Sequence, residues 1–277
     1  MQQGTFRGFE VALDNGGVAL VTFNQPERLN GMTQGFKRDL IEILTQAQMD
    51  EAVRVVVMTG SGRAFSAGDD ITGRPPPGGA TAIMPDIGTG HQDPIGTYEG
   101  LRVLSQTLNT AVRNLDKITI AAVNGVAVQT GLSLALSCDF RIASTEARMG
   151  SGTMRFALQP DEGGQWLLVQ LMGAAKAMDF LMKARIVPAE EAMGLGLVHE
   201  VVAPEQLMPR AMEMAREYAA GPQVAMRLLK RSIYNAASQT WEQALDDIAT
   251  KTAISDHHAD AREGIKAFQE KRKARFS

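Results

Sequence analysis

The segment Ile118-Thr119-Ile120-Ala121-Ala122-Val123-Asn124-Gly125-Val126-Ala127-Val128-Gln129-Thr130-Gly131-Leu132 decides how this chain is read. Its first six residues are apolar or β-branched without a break, the pattern of a strand covered on both faces. Asn124-Gly125 marks a turn, and Gly131 leads into a short apolar helix over 132–137. A second stretch has the same layout. Residues 55–59 run into Gly60-Ser61-Gly62-Arg63-Ala64-Phe65-Ser66-Ala67-Gly68-Asp69-Asp70-Ile71, where a helix start is expected after the small residues.

Working outward, Val18–Phe23, 53–58 and 140–143 also read as short strands. Residues 33–48 carry Phe36, Leu40, Ile43, Leu44 and Ala47 at helical spacing. Repeated strand–helix–strand order predicts an α/β fold, with helices covering a largely parallel sheet. No repeat of fixed period is present. Residues 1–203 are read as the core, and residues 204–277 as a region of helices. There Pro222 suits a first helical position, with Val224, Ala225, Leu228, Leu229 and Ile233 on one face. Helices are also expected over 240–252 and 256–273. Their apolar faces pack either on a neighbouring subunit or on the chain's own core. Residues 73–96 hold six Gly and five Pro without periodicity, which suits a functional lid or a disordered loop.

The chain has 277 residues, 44% of them apolar, which is enough for a sizeable core. Lys and Arg number 28 against 31 Asp and Glu, a net charge of -3, which argues against a nucleic-acid partner. One cysteine excludes a disulfide framework and fits a reducing compartment. His91, His199, His257 and His258 show no metal-ligand spacing. No apolar run approaches the ~20 residues that span a bilayer. The opening MQQGTFRGFE lacks a basic-then-apolar signal layout. These features together predict a cytoplasmic protein with no metal and no membrane partner.

Amides at a helix start lack intrahelical acceptors and carry partial positive charge. Two such turns facing each other would hold one oxyanion between two N–H groups. Alternatively, Gly68 and Gly131 merely permit tight turns. Neither turn has the spacing of a phosphate-cradling loop.

At these residues the sequence resembles the crotonase superfamily, the enoyl-CoA hydratases and isomerases. Residues 24–30 (NQPERLN) resemble its early substrate loop, and 63–71 (RAFSAGDDI) its first oxyanion motif. Residues 123–136 are similar to its second. Residues 194–198 (GLGLV) resemble the stretch after the core, and 267–273 (AFQEKRK) the C-terminal helix. The resemblance implies a spiral of ββα turns with a C-terminal helical trimerisation region, giving a homotrimer or homohexamer. It implies an acyl-CoA substrate, with coenzyme A as part of the substrate and no cofactor bound permanently. It places the thioester oxygen on the amides of Asp69 and Thr130, beside Gly68 and Gly131. The coenzyme A adenine is expected near Arg28 and the backbone of Ala64, Phe65 and Ser66. Phe268 and Lys271 are expected to reach it from a neighbouring subunit.

The chain departs from the family's hydratases at their two glutamates, which fall at Ser133 and Thr153. Neither hydroxyl is a base near neutral pH. A carboxylate stands instead in Pro160-Asp161-Glu162-Gly163-Gly164, where the family's isomerases resemble this chain in carrying Asp after Pro. Asp161 is the catalytic candidate, since one carboxylate suffices to move a proton between carbons. Asp161 also suits an N-cap, and Glu162 a first-turn acid favourable to the helix dipole. His91 is a loop residue able to close over a site, or simply solvated. His199 and Cys138 read as structural, and Trp166 and the methionines as core or acyl-pocket lining. The leading reading is an enoyl-CoA isomerase working through a thioester enolate. Its rivals are an atypical hydratase, an acyl-CoA hydrolase and a non-catalytic acyl-CoA-binding subunit.

Overall fold

The computed structural model describes residues 1–72, 81–88 and 93–277. The expectations for His91 and for much of the 73–96 segment therefore lie outside the described residues.

Among the described residues, eleven strands form two sheets. In chain order they are β1 (Gly4–Phe6), β2 (Phe9–Leu13), β3 (Val18–Phe23), β4 (Val55–Gly60), β5 (Ala64–Ser66), β6 (Ile118–Val123), β7 (Val126–Val128), β8 (Phe140–Ser144), β9 (Arg148–Gly150), β10 (Ile186–Pro188) and β11 (Glu200–Val202). The large sheet has the order β1-β2-β3-β4-β6-β8-β11 and is parallel from β3 onward. The small one has the order β10-β9-β7-β5, parallel from β5 to β9. The pairs β4/β5, β6/β7 and β8/β9 each give one strand to each sheet before the chain turns into helix. This is the expected spiral of ββα turns.

The helices are α1 (Gln34–Met49), α2 (Pro94–Gly100), α3 (Gln106–Asn114), α4 (Thr130–Ser137), α5 (Gly164–Met182, bent at Gly173), α6 (Ala189–Gly194), α7 (Leu207–Ala219), α8 (Gln223–Ala236), α9 (Trp241–Asp256) and α10 (Ala259–Gln269). The β-branched runs set the strands because their side chains pack well on a pleated, covered surface. Along β4, Val56 and Met58 join the core shared with α1, α4 and α5. Val55 and Val57 face the other way, against Leu207, Ala211 and Ala215 of α7. The second core explains why β4 and β6 read as continuous apolar runs. Pro222 stands at the N-cap of α8, one place before the expected first helical position. Among the described residues, no helix is long and apolar enough to cross a membrane.

Candidate functional site

The two glycine turns meet. After β5 the chain passes Gly68, at φ +94°, where a Cβ would lie 2.7 Å from the Gln129 Cβ and 3.2 Å from the Val128 carbonyl. Only a residue without a side chain permits that approach. No helix begins within residues 67–72, contrary to the expectation for the first turn. Instead Asp69 forms an isolated parallel bridge with Met32. The Met32 N–H donates to the Gly68 carbonyl, and the Asp70 N–H to the Met32 carbonyl. The Asp69 amide between them therefore points away from this bridge. The second turn opens α4 as expected, with Thr130 its first residue and hence a donor without an intrahelical acceptor. Gln129 just before it holds φ 52°, ψ -123°, a backbone conformation rare outside glycine. Its side chain accepts from the Gly152 N–H at 2.9 Å, which pins that turn.

Beside Asp69 lies a cavity of about 650 Å³, bounded by α1, the π-helical turn Leu101–Ser105 and Asp161. Three carboxylates of its wall face cations. Lys37 Nζ lies 2.7 Å from Asp69 Oδ1, Arg28 Nη1 lies 2.7 Å from Asp70 Oδ2, and Arg7 pairs with Asp86. Burial works against ionisation of Asp70, but hydrogen bonds from Thr72 and Arg28 outweigh it and hold its pKa below the ordinary value. Asp161 is exposed on the cavity, and no cation pairs with it among the described residues. Its carbonyl accepts from the Gln106 side chain at 3.0 Å. Asp161 does not cap α5: Gly163 holds the N-cap position, and no side-chain cap is made there among the described residues.

Glu162 lies apart from the first turn of α5, where the pattern of acids and glycines had placed it. It is buried, 7% exposed, with Oε1 2.5 Å from Thr130 Oγ1 and Oε2 3.5 Å from Ser133 Oγ. Burial, and then the neighbouring Asp161 charge, push its pKa up to about 7, against a hydrogen bond to Thr130 that pulls the other way. Sequence reasoning gave this carboxyl only a helix-dipole role, because only the packing of α4 against the start of α5 turns it inward. Lys37 also escaped notice, though it left a signal. It stands three residues before Leu40, on the core-facing side of α1, where a cation needs a partner.

The other expected site residues are placed as follows. Ala64, Phe65 and Ser66 are buried in β5, the edge strand of the small sheet. Ser66 Oγ donates to the Asn30 carbonyl at 2.8 Å, and Phe65 packs edge-on to Phe23. Gly131 is buried beside Ser66. Ser133 is buried on α4, and the Thr153 hydroxyl lies 3.0 Å from Ser151 Oγ. Phe268, 86% exposed in the last turn of α10, and Lys271, two residues beyond that helix, do not line the cavity. Trp166 lies under the Arg113 guanidinium, 4.7 Å from the ring centre. Cys138 is buried and its thiol is pushed up to about 12 by that burial, so it is inert as a nucleophile. His199 Nδ1 accepts from the Arg141 N–H, a structural contact. Among the described residues, no cluster of His, Cys, Asp and Glu has the arrangement of a metal site.

The structure thus sets two backbone turns against each other on a ββα spiral, beside a cavity. The sequence pattern of the enoyl-CoA hydratase/isomerase family matches residues 14–277, and the chain belongs to that family. It is 35% identical over 265 residues to the 1,2-epoxyphenylacetyl-CoA isomerase of Escherichia coli K12, covering 94% of this chain and 95% of that protein. It is 31% identical to the short-chain-enoyl-CoA hydratase of Clostridium acetobutylicum, with 93% of each covered. The fold is similar to the crystal structure of an enoyl-CoA hydratase from Bacillus anthracis, at TM-score 0.86 and 30% identity, covering 97% of this chain and 98% of that one.

Proposed function

We propose that this protein is an enoyl-CoA isomerase with Asp161 as the single acid/base. The observation that carries this is the contrast among the cavity carboxylates. Asp69, Asp70 and Asp86 face cations, whereas Asp161 faces the cavity with none against it among the described residues. A carboxylate with no cation against it is the one ready to accept a proton. The hydroxyls at Ser133 and Thr153, where the family's hydratases carry glutamates, support the same choice.

With a 3-enoyl thioester bound, Asp161 takes a proton from C2. The C–H electron pair passes into the thioester, and its oxygen gains charge against the amides of Asp69 and Thr130. Removing one such donor costs ~10² to 10³ in rate. The resulting dienolate takes the proton back from Asp161 at C4, leaving the double bond between C2 and C3. Asp161 ends ionised, and no water enters the balance. Arg28, the backbone of Ala64–Ser66 and, from a neighbouring subunit, Phe268 and Lys271 hold the coenzyme A part in this reading.

The test is incubation with a 3-enoyl-CoA followed by mass spectrometry. Unchanged mass with a shifted double bond is expected. Addition of one water, as by the hydratases among the relatives, or release of a free acid would replace the isomerase with a hydratase or a hydrolase. Asp161→Asn should lower turnover by at least ~10². Its stability should stay within about 0.5 kcal/mol, because the side chain is exposed and caps nothing. Calorimetry should show coenzyme A thioesters binding far more tightly than free acids. A wild type that binds them without turnover would be an acyl-CoA-binding subunit.

A further inference from the structure

From the cavity wall inward the polar atoms of four residues follow one another. Lys37 Nζ lies 2.7 Å from Asp69 Oδ1 and also donates to Ser105 Oγ. Thr130 Oγ1 lies 2.7 Å from the same Asp69 oxygen and 2.5 Å from Glu162 Oε1. A threonine hydroxyl carries one hydrogen. It cannot donate to Asp69 and Glu162 together. An ammonium brings only donors, and Lys37 Nζ lies 2.7 Å from Asp69 Oδ1 and 2.8 Å from Oδ2, so both Asp69 oxygens accept. The hydrogen between Thr130 and Glu162 must therefore belong to Glu162. Were Glu162 ionised as well, a 2.5 Å contact would set lone pair against lone pair. Thr130 is fully buried and Glu162 nearly so, so water would not relieve it.

We propose that Glu162 is a protonated positioning residue: its O–H donates to Thr130 Oγ1, turns the Thr130 hydrogen onto Asp69, and so locks together the two turns whose amides face the thioester oxygen. Ser133 Oγ donates to the other, carbonyl-like oxygen of Glu162. The adjoining carboxyls of Asp161 and Glu162 then carry one negative charge, on Asp161, the member that faces the cavity. Unequal environments thus divide two carboxyls into a base and a neutral donor. The role assigned to the pair rests on the isomerase reading; the protonation of Glu162 rests on hydrogen count alone.

The charged groups bearing on Glu162 are Asp161 beside it, Asp69 after β5, and Lys37 of α1 beyond Asp69. From α4 it meets the hydroxyls of Thr130 and Ser133, and from α3 the Gln106 amide holds the Asp161 carbonyl. Both nearby carboxylates disfavour its ionisation, and the hydrogen bond between the Glu162 and Asp161 side chains acts in the same direction, in agreement with a pKa of about 7.

Difference infrared spectroscopy on the wild-type protein tests the protonation directly. A protonated carboxyl band should be present just below neutral pH, vanish as pH rises through about 7, and be missing in Glu162→Gln. Turnover of a 3-enoyl-CoA should fall over the same pH range. Glu162→Ala should lose at least ~10-fold in kcat with little change in KM. Glu162→Gln, whose amide still donates to Thr130, should recover most of that loss without the alkaline fall. Absence of the band overturns the proposal whatever the activity, and so does an unchanged alkaline fall in Glu162→Gln. If the band and the pH profiles behave as expected while Asp161→Asn keeps full turnover, the isomerase reading falls and Glu162 keeps its role.

Discussion

A Cβ atom on Gly131 would stand 2.2 Å from the carbonyl oxygen of Ser66. The helix start that carries Thr130 thus touches the strand leading to Asp69 backbone to backbone, and a side chain at 131 must drive them apart. We expect Gly131→Ala to destabilise the fold by about 1–3 kcal/mol, the usual cost of overpacking. Turnover should fall by at least ~100-fold as the two amides separate. Thermal unfolding and steady-state kinetics would check both. Wild-type turnover in this variant would show that the close approach is not needed.

Glu162 also makes stability depend on pH. Its folded pKa, about 7, is raised above the ordinary 4.5. Below 4.5 both the folded and unfolded chains hold the proton, and Glu162 costs nothing. Between about 4.5 and about 7 the unfolded chain loses its proton first, so stability falls with rising pH. Above that range the loss is complete, on the order of 3 kcal/mol. Urea unfolding of wild type and Glu162→Gln across this range should show the slope in the former and a flatter profile in the latter. Parallel profiles would mean that Glu162 titrates alike in both states.

Asp139 ties the large sheet to α8. Its Oδ2 lies 2.7 Å from Lys230 Nζ, and its Oδ1 accepts from the Tyr234 hydroxyl at 2.6 Å. The Lys230 side chain is 5% exposed, and burial pulls its pKa down despite Asp139. Asp139→Ala leaves that buried ammonium without a carboxylate, held by the Lys117 carbonyl at 2.9 Å, which should cost about 3–5 kcal/mol. Denaturant titration would measure it. A cost below about 1 kcal/mol would indicate that the ammonium finds another partner or sheds its proton.

The C-terminal helices leave apolar side chains uncovered in the single chain. Leu229 is 60% exposed and Ile233 62% on α8, with Trp241, Leu245 and Ile248 exposed on α9. Exposed apolar side chains on two packed helices suit an interaction surface, and we propose that this surface closes between copies in a homotrimer or homohexamer. Sedimentation should show that assembly in the wild type and smaller species in Ile233→Glu. A wild-type chain that sediments as a monomer at every concentration would overturn this.

The α/β class, strands β3 and β6 and helix α1 were legible in the residues, because each is set by a local pattern. A β-branched run must be covered, and a stripe of period 3.6 must face a core. The paired turns were legible as glycines in context, and the family as a set of motifs in order. The first turn was misread as a helix start because Asp69 takes its geometry from Met32, 37 residues earlier. Nothing near Gly68 announces that bridge. Asp161 and Glu162 are neighbours with the same functional group, and composition cannot tell them apart. Only tertiary structure sends one to the cavity and the other into the wall against Thr130. Burial and hydrogen-bond valence then decide which carboxyl holds the proton, and both are properties of the packed neighbourhood.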